Sequence, residues 1–244
     1  MNGKYEFEGK IRYSEIDETG CLSLAGLVNY FQDVSTFQSE ELGIGVEYLT
    51  ERHQAWILSS WQIVIDHLPK LCESVKAQTW AYDFQGFYGM RNFVLLGADG
   101  KPAARANSIW VLYDTRENRP VRVPEDMAQA YPMLEPLEME YAPRKIRLPQ
   151  GGESRETFAI GRHQLDTNHH VNNGQYIAMA AEYLPAGFKI RQMRAEYKMQ
   201  ARLHDEICPR VYTEENQVTA ALCSSQGKPY AVVAFEERRK EQDR

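Results

Sequence analysis

The chain has 244 residues, of which 43% are hydrophobic and 25% charged, with a formal net charge of −6. This describes an ordinary globular protein of one large domain or two of about 120 residues, and the acidic balance disfavours nucleic acid as a bulk partner. No apolar run approaches the roughly 20 residues that cross a bilayer, the first ten residues lack the apolar core of a signal peptide, and Cys21, Cys72, Cys208 and Cys223 form no C-x-x-C pair; a reducing cytoplasm fits, with no membrane partner.

Taken in chain order, Tyr5 to Tyr13 reads as a strand. From Leu24, apolar residues recur at Leu27, Val28, Phe31 and Val34, then polar Gln38 and Leu42, close to a 3.6 period, which predicts a helix of about five turns. Ala55 to Ile65, Ser74 to Phe84, Arg91 to Leu96 and Ala103 to Tyr113 are rich in β-branched and aromatic residues and read as strands, with turns at Gly86 to Gly89 and Asp99-Gly100. The stretch 133–153, proline-bearing and closing on Gly151-Gly152, reads as a linker. Asn172 or Asn173 suits the cap of a second helix running to Leu184, stopped by Pro185 and Gly187. Strands follow at Lys189 to Met199, Ile207 to Glu214, Gln217 to Cys223 and Tyr230 to Glu236, and Glu236 to Arg244 reads as a solvated tail.

The chain repeats itself once. Ile11 to Tyr30 matches Ile160 to Tyr176 in an Arg, an aliphatic-Asp pair, and a following Asn and Tyr, so that Asp17 answers Asp166, Thr19 answers Asn168 and Cys21 answers His170. Gly100-Lys101-Pro102 answers Gly227-Lys228-Pro229. Two units of strand, helix and antiparallel meander predict an α+β fold: a tandem (double) hotdog, each an antiparallel sheet around a central helix, forming a pseudo-dimer. The expected domains are residues 1–132, residues 154–244 and the linker between them. Such a fold leaves apolar space for an alkyl chain.

Only the second copy carries groups suited to chemistry. His163 to Asn173 reads H-Q-L-D-T-N-H-H-V-N-N, with Asp166, Asn168 and His170 at spacings of two. In an extended segment these would point the same way, bringing together an orienting acid, a positioning amide and a base. Asp166 equally suits a turn cap, because Asp17 is present in the copy that lacks the His. His163, His169, His170 and Asp166 match no common zinc spacing, so no metal or other cofactor is expected.

With these motifs in view, the chain resembles the fatty acyl-ACP thioesterases of plants and bacteria over essentially its whole length. The carrying residues are Leu165 to Tyr176 (L-D-T-N-H-H-V-N-N-G-Q-Y), Trp56 to Asp66 (W-I-L-S-S-W-Q-I-V-I-D), Gly89-Met90-Arg91, Ala106 to Tyr113 (A-N-S-I-W-V-L-Y) and Val123-Pro124-Glu125. The resemblance implies hydrolysis of fatty acyl-acyl carrier protein, with the first domain shaping an acyl tunnel and the second carrying catalysis. It assigns Asp166, Asn168 and His170 as catalytic. The family's next functional pair, a Glu followed by a Cys, falls on Gln200 and Ala201; Gln200 keeps an acceptor oxygen but cannot readily deprotonate water. An oxyanion site is expected at the N–H groups opening the second helix. The implied partner is acyl carrier protein, received by a basic rim drawn from Lys189, Arg191, Arg194 and Lys198 or from Arg144, Lys145 and Arg147. A thioesterase acting on coenzyme A esters and a non-hydrolytic acyl-binding protein are the alternatives, and the oligomeric state is open.

Overall fold

A computed structural model of the chain describes residues 3–239. The fold separates into two compact units. One comprises the residues up to Ser59 with Asp66–Tyr141, the other Ser60–Ile65 with Ala142 onward.

The first unit contains β1 (Tyr5–Lys10), α1 (Leu24–Glu41), α2 (Val46–Glu51), the start of β2 (Gln54–Ile65) as far as Ser59, β3 (Ser74–Gln85), β4 (Tyr88–Leu96), β5 (Pro102–Asp114), β6 (Arg119–Pro120) and α3 (Glu125–Ala130). Its strands run in the order β1-β3-β4-β5-β2, with β6 beside β5. α1 starts where the Ser23 hydroxyl accepts the Gly26 N–H at 3.0 Å, satisfying one orphan donor of the first turn. It ends before Gly43, whose φ of +71° suits a residue without Cβ. Leu27, Phe31 and Val34 are fully buried along the face that packs on β1 and β3, each contributing about 1.5–3 kcal/mol by leaving water. Phe31 meets Phe93 of β4 at 5.2 Å between ring centres. Polar Gln38 continues the same stripe because its carboxamide oxygen accepts from the buried Arg91 guanidinium, which also lies 5.2 Å from the Tyr131 ring. Burial lowers the Arg91 pKa.

In the second unit, Ser60–Val64 of β2 pair with β9 (Ile190–Tyr197), followed in the sheet by β12 (Pro229–Glu237), β11 (Gln217–Cys223), β10 (Glu206–Glu214) and β7 (Glu153–Ser154), with β8 (Phe158–Ala159) also on β10. α4 (Asn173–Ala181) buries Tyr176, Ile177, Met179 and Ala180 and packs on β11 and β12. Each unit is therefore an antiparallel sheet with one principal helix laid on it, and the chain is an α+β double hotdog.

The elements depart from expectation in ways that have local causes. β1 stops at Lys10 because Tyr13–Glu15 form a 3-10 turn closed by Arg12 and Glu15. β4 starts inside the expected turn, since Gly86, at φ +62°, alone reverses the chain. α4 ends at Ala181, three residues early, where Tyr183 and Leu184 tighten into i→i+3 bonds ahead of Pro185. α2 and α3 have six residues each, too few to show a helical period. The segment read as linker lies against the sheets. Glu135 O accepts the Trp80 indole N–H at 3.0 Å, Asn92 Oδ1 accepts the Leu137 N–H at 2.9 Å, and Glu196 Oε2 accepts the Ile146 N–H at 2.9 Å. The expected tail begins inside β12, where Glu236 pairs with Arg191 at 2.6 Å; residues 240–244 lie outside the described residues.

Candidate active site

The two halves fold the same short sequence the same way. In the first unit Ile16 and Leu22 form an antiparallel bridge. Between them the Asp17 N–H donates to Cys21 O at 2.9 Å and the Gly20 N–H to Asp17 O at 3.0 Å, while Asp17 Oδ1 accepts the Thr19 N–H at 2.9 Å. In the second unit Leu165 and Val171 form the bridge. The Asp166 N–H donates to His170 O at 2.7 Å and the His169 N–H to Asp166 O at 3.1 Å. Asp166 Oδ1 accepts the N–H groups of Asn168 at 2.8 Å and His170 at 3.2 Å. His169 stands where the first unit has Gly20; both have positive φ, +60° and +76°.

This corrects the extended geometry expected from the spacing. Residues 165–171 form a tight hairpin, so Asp166 and His170 come together across a turn and Asn168 lies at its solvent-facing tip. The Asp166 carboxylate holds that turn, as Asp17 holds its own. Asn168 is exposed, and its side chain makes no hydrogen bond to Asp166 or His170. The His170 ring is half-buried. Burial lowers its pKa below the ordinary 6.5, the Arg202 guanidinium and His169 add to the lowering, and Asp166 opposes it. That shift favours the neutral imidazole, the form that can accept a proton.

A second loop completes the surroundings. The Val171 N–H donates to Ala201 O at 3.0 Å, and the Ala201 N–H donates to the Tyr176 hydroxyl at 2.9 Å; burial pushes that phenol up. Ala201, at the position where the resemblance puts a Cys, is fully buried. Gln200 is exposed beside it. Arg202 follows, its backbone N–H on Asp205 Oδ2 at 2.8 Å. Sequence reasoning missed Arg202. The signal was present in the repeat, because Pro69-Lys70-Leu71 answers Ala201-Arg202-Leu203: the Leu22 N–H donates to Pro69 O at 2.7 Å just as Val171 does to Ala201.

Most N–H groups around the expected oxyanion site at the start of α4 are engaged. The backbone N–H groups of Asn168, His169, His170, Val171 and Asn172 all donate to acceptors in this chain. Gly174 N–H donates to Asn172 Oδ1 at 2.8 Å and Gln175 N–H to Asn172 O at 2.9 Å, which is ordinary helix capping. Three of the cations expected at a basic rim on or beside β9 are also engaged: Arg191 with Glu236, Lys198 with Glu196 at 2.8 Å, and Arg194 with the carbonyls of Pro143 and Lys145. Arg144, Lys145 and Arg147 are exposed. Among the described residues no group of three or more His, Cys, Asp or Glu side chains is placed to hold a metal ion, and no helix is long and apolar enough to cross a membrane.

Comparison with known proteins places the architecture. The family model for the acyl-ACP thioesterase N-terminal domain matches residues 2–131, and that for the C-terminal domain matches residues 149–236. A chloroplastic palmitoyl-acyl carrier protein thioesterase of Arabidopsis thaliana is 25% identical over 209 residues, covering 77% of this chain and 50% of its own. The chloroplastic acyl-[acyl-carrier-protein] hydrolase FATB3 of Cuphea viscosissima is 25% identical over 191 residues, 72% of this chain and 45% of its own. The chain thus spans about half the length of these curated relatives. Two solved structures share the fold: an acyl-ACP thioesterase from Bacteroides thetaiotaomicron, with a TM-score of 0.89 at 21% identity over 97% of this chain and 98% of that one, and the 12:0-ACP thioesterase from Umbellularia californica, with a TM-score of 0.83 at 18% identity over 98% of this chain and 99% of that one. With both of its halves matched in order, the chain belongs to the acyl-ACP thioesterase family.

Proposed function

We propose that this chain hydrolyses the thioester joining a fatty acyl chain to acyl carrier protein, releasing the fatty acid and the free carrier thiol. One observation carries the reading: of two hairpins with the same backbone, only the second places a neutral, half-buried imidazole beside a carboxylate. Water adds to the thioester carbonyl carbon as one of its protons passes to His170, leaving the carbonyl oxygen negative. Collapse re-forms the C=O bond and breaks C–S, and the departing thiolate takes the proton back from the imidazolium. A thiol with a reference pKa of about 8.5 leaves readily, so a strong general acid is not needed. Asp166 favours the imidazolium as it forms, Asn168 reaches for the water or the carbonyl from the hairpin tip, and Gln200 helps position the water without deprotonating it.

In the same reading the first unit lines the acyl tunnel and the carrier docks on Arg144, Lys145 and Arg147. Charge reversal there should raise KM for acyl-ACP; unchanged KM would remove that surface from the proposal. The cytoplasm is the proposed compartment, since the four cysteines are dispersed and free. A second reading, a non-hydrolytic acyl-binding protein, is favoured by Gln200 and Ala201 standing where the resemblance puts Glu and Cys. Thiol release from a panel of acyl-ACPs of differing length, with the same acyl chains on coenzyme A, separates the cases. Turnover of acyl-ACP supports the proposal, faster turnover of the coenzyme A esters shifts the carrier, and acyl binding without thiol release overturns hydrolysis.

A further inference from the structure

Hydrolysis as proposed leaves one charge without a partner, the oxyanion that forms when water adds. Most backbone donors near it, those of Asn168 to Asn172, Gly174 and Gln175, already serve the hairpin and the helix cap. The exposed side chains that stand beside the imidazole or next to the Val171–Ala201 contact include Asn168, His169, Gln200 and Arg202. Arg202 is the permanent cation among these four, and a charged donor makes a hydrogen bond about twice as strong as a neutral one.

The repeat fixes where that cation sits. In the first unit Cys21 and Lys70 face each other in an antiparallel bridge, next to the Leu22–Pro69 bond. His170 and Arg202 occupy the same two positions of the second unit. The supporting loop is also duplicated. Ile11 N–H donates to Glu73 O and Cys72 N–H to Ile11 O, both at 2.9 Å; Ile160 N–H donates to Asp205 O at 3.0 Å and His204 N–H to Ile160 O at 3.1 Å. Cys72 and His204 both have φ of +69°. The matching turn thus places Arg202 near His170, close enough for its charge to act on the ring.

We infer that Arg202 is the oxyanion donor of this site, a further catalytic residue that contacts the negatively charged carbonyl oxygen while His170 holds the water's proton. The charges then balance at the top of the barrier: imidazolium against Asp166, oxyanion against Arg202. In the resting state Arg202 repels a protonated imidazole, which accords with the lowered His170 pKa. The groups acting on that ring are Arg202, Asp166 and His169. The inference rests on the proposed hydrolysis.

The test combines turnover of an acyl-ACP with an NMR titration of His170 in wild type, Arg202→Met, Arg202→Lys and the first-unit control Lys70→Met. Losing a buried oxyanion donor costs about 10²–10³ in kcat. For exposed Arg202 the expected loss in Arg202→Met is about 10–100-fold in kcat with KM little changed. The His170 titration and the acid limb of the rate profile should both move to higher pH, Arg202→Lys should restore part of each, and Lys70→Met should change neither. An unmoved His170 titration in Arg202→Met overturns the inference whether or not the protein turns over. A moved titration with unchanged kcat, or a loss confined to KM, overturns the oxyanion role. A wild type inactive on every thioester removes the hydrolysis and this role together, and the titration still shows whether the two side chains meet.

Discussion

The hairpins at Ile16–Leu22 and Leu165–Val171 share backbone bonds, an Asp at the same position and a left-handed residue before the last turn position. Their tips differ: Thr19, Gly20 and Cys21 in one, Asn168, His169 and His170 in the other. The comparison separates what the fold requires from what the chemistry requires. An aspartate whose carboxylate collects the N–H groups of a tight turn recurs in both copies, so its presence is explained by the turn alone. An imidazole is needed in neither turn, and it occurs in one.

Changes at Asp166 and His170 should therefore affect rate, and the matching changes at Asp17 and Cys21 should affect at most stability. The largest effect expected is at His170, where loss of the general base is worth ~10²–10⁴-fold in kcat, measured as thiol release. Next comes the aspartate pair. Asp17→Ala and Asp166→Ala should each lower unfolding free energy by about 1–2 kcal/mol, seen as a fall in denaturation midpoint, because backbone N–H groups lose a charged acceptor. Only Asp166→Ala should also slow turnover, and equal rate losses in both variants would break the comparison.

Acid dependence follows from the direction of the His170 shift. Its folded pKa lies below 6.5, so the active neutral form persists at mildly acidic pH and kcat/KM falls only as pH drops through that lower value. The unfolded chain binds this proton first, so stability from this group is full above about pH 6.5 and is lost as pH falls toward the folded pKa. A rate profile with its acid limb above 6.5 would contradict the burial of this ring. The smallest effect sharpens the backbone side of the comparison. His169→Gly, which copies Gly20, should gain about 0.5–1 kcal/mol by relieving a positive φ, with little change in rate.

Much of this arrangement was legible in the residues. The Asp17/Asp166 and Gly100-Lys101-Pro102/Gly227-Lys228-Pro229 echoes correspond to turns with the same bonds, Gly97 N–H to Lys101 O at 2.9 Å and Ser224 N–H to Lys228 O at 2.8 Å. Apolar spacing located α1 because 18 residues show a period, whereas six-residue α2 and α3 do not. The hairpin was misread as extended because a spacing of two carries no sign of an Asp folding the chain back on itself. Arg202 was passed over because its role depends on a bond between residues 171 and 201, thirty positions apart in the chain.

The most direct measurement compares acyl-ACP hydrolysis by His170→Ala with that by Cys21→Ala, one atom-poor tip against its counterpart. The account predicts that kcat/KM collapses by about two orders of magnitude or more in the first and stays at the wild-type level in the second. Wild-type turnover in His170→Ala, or an equal loss in both proteins, would contradict it.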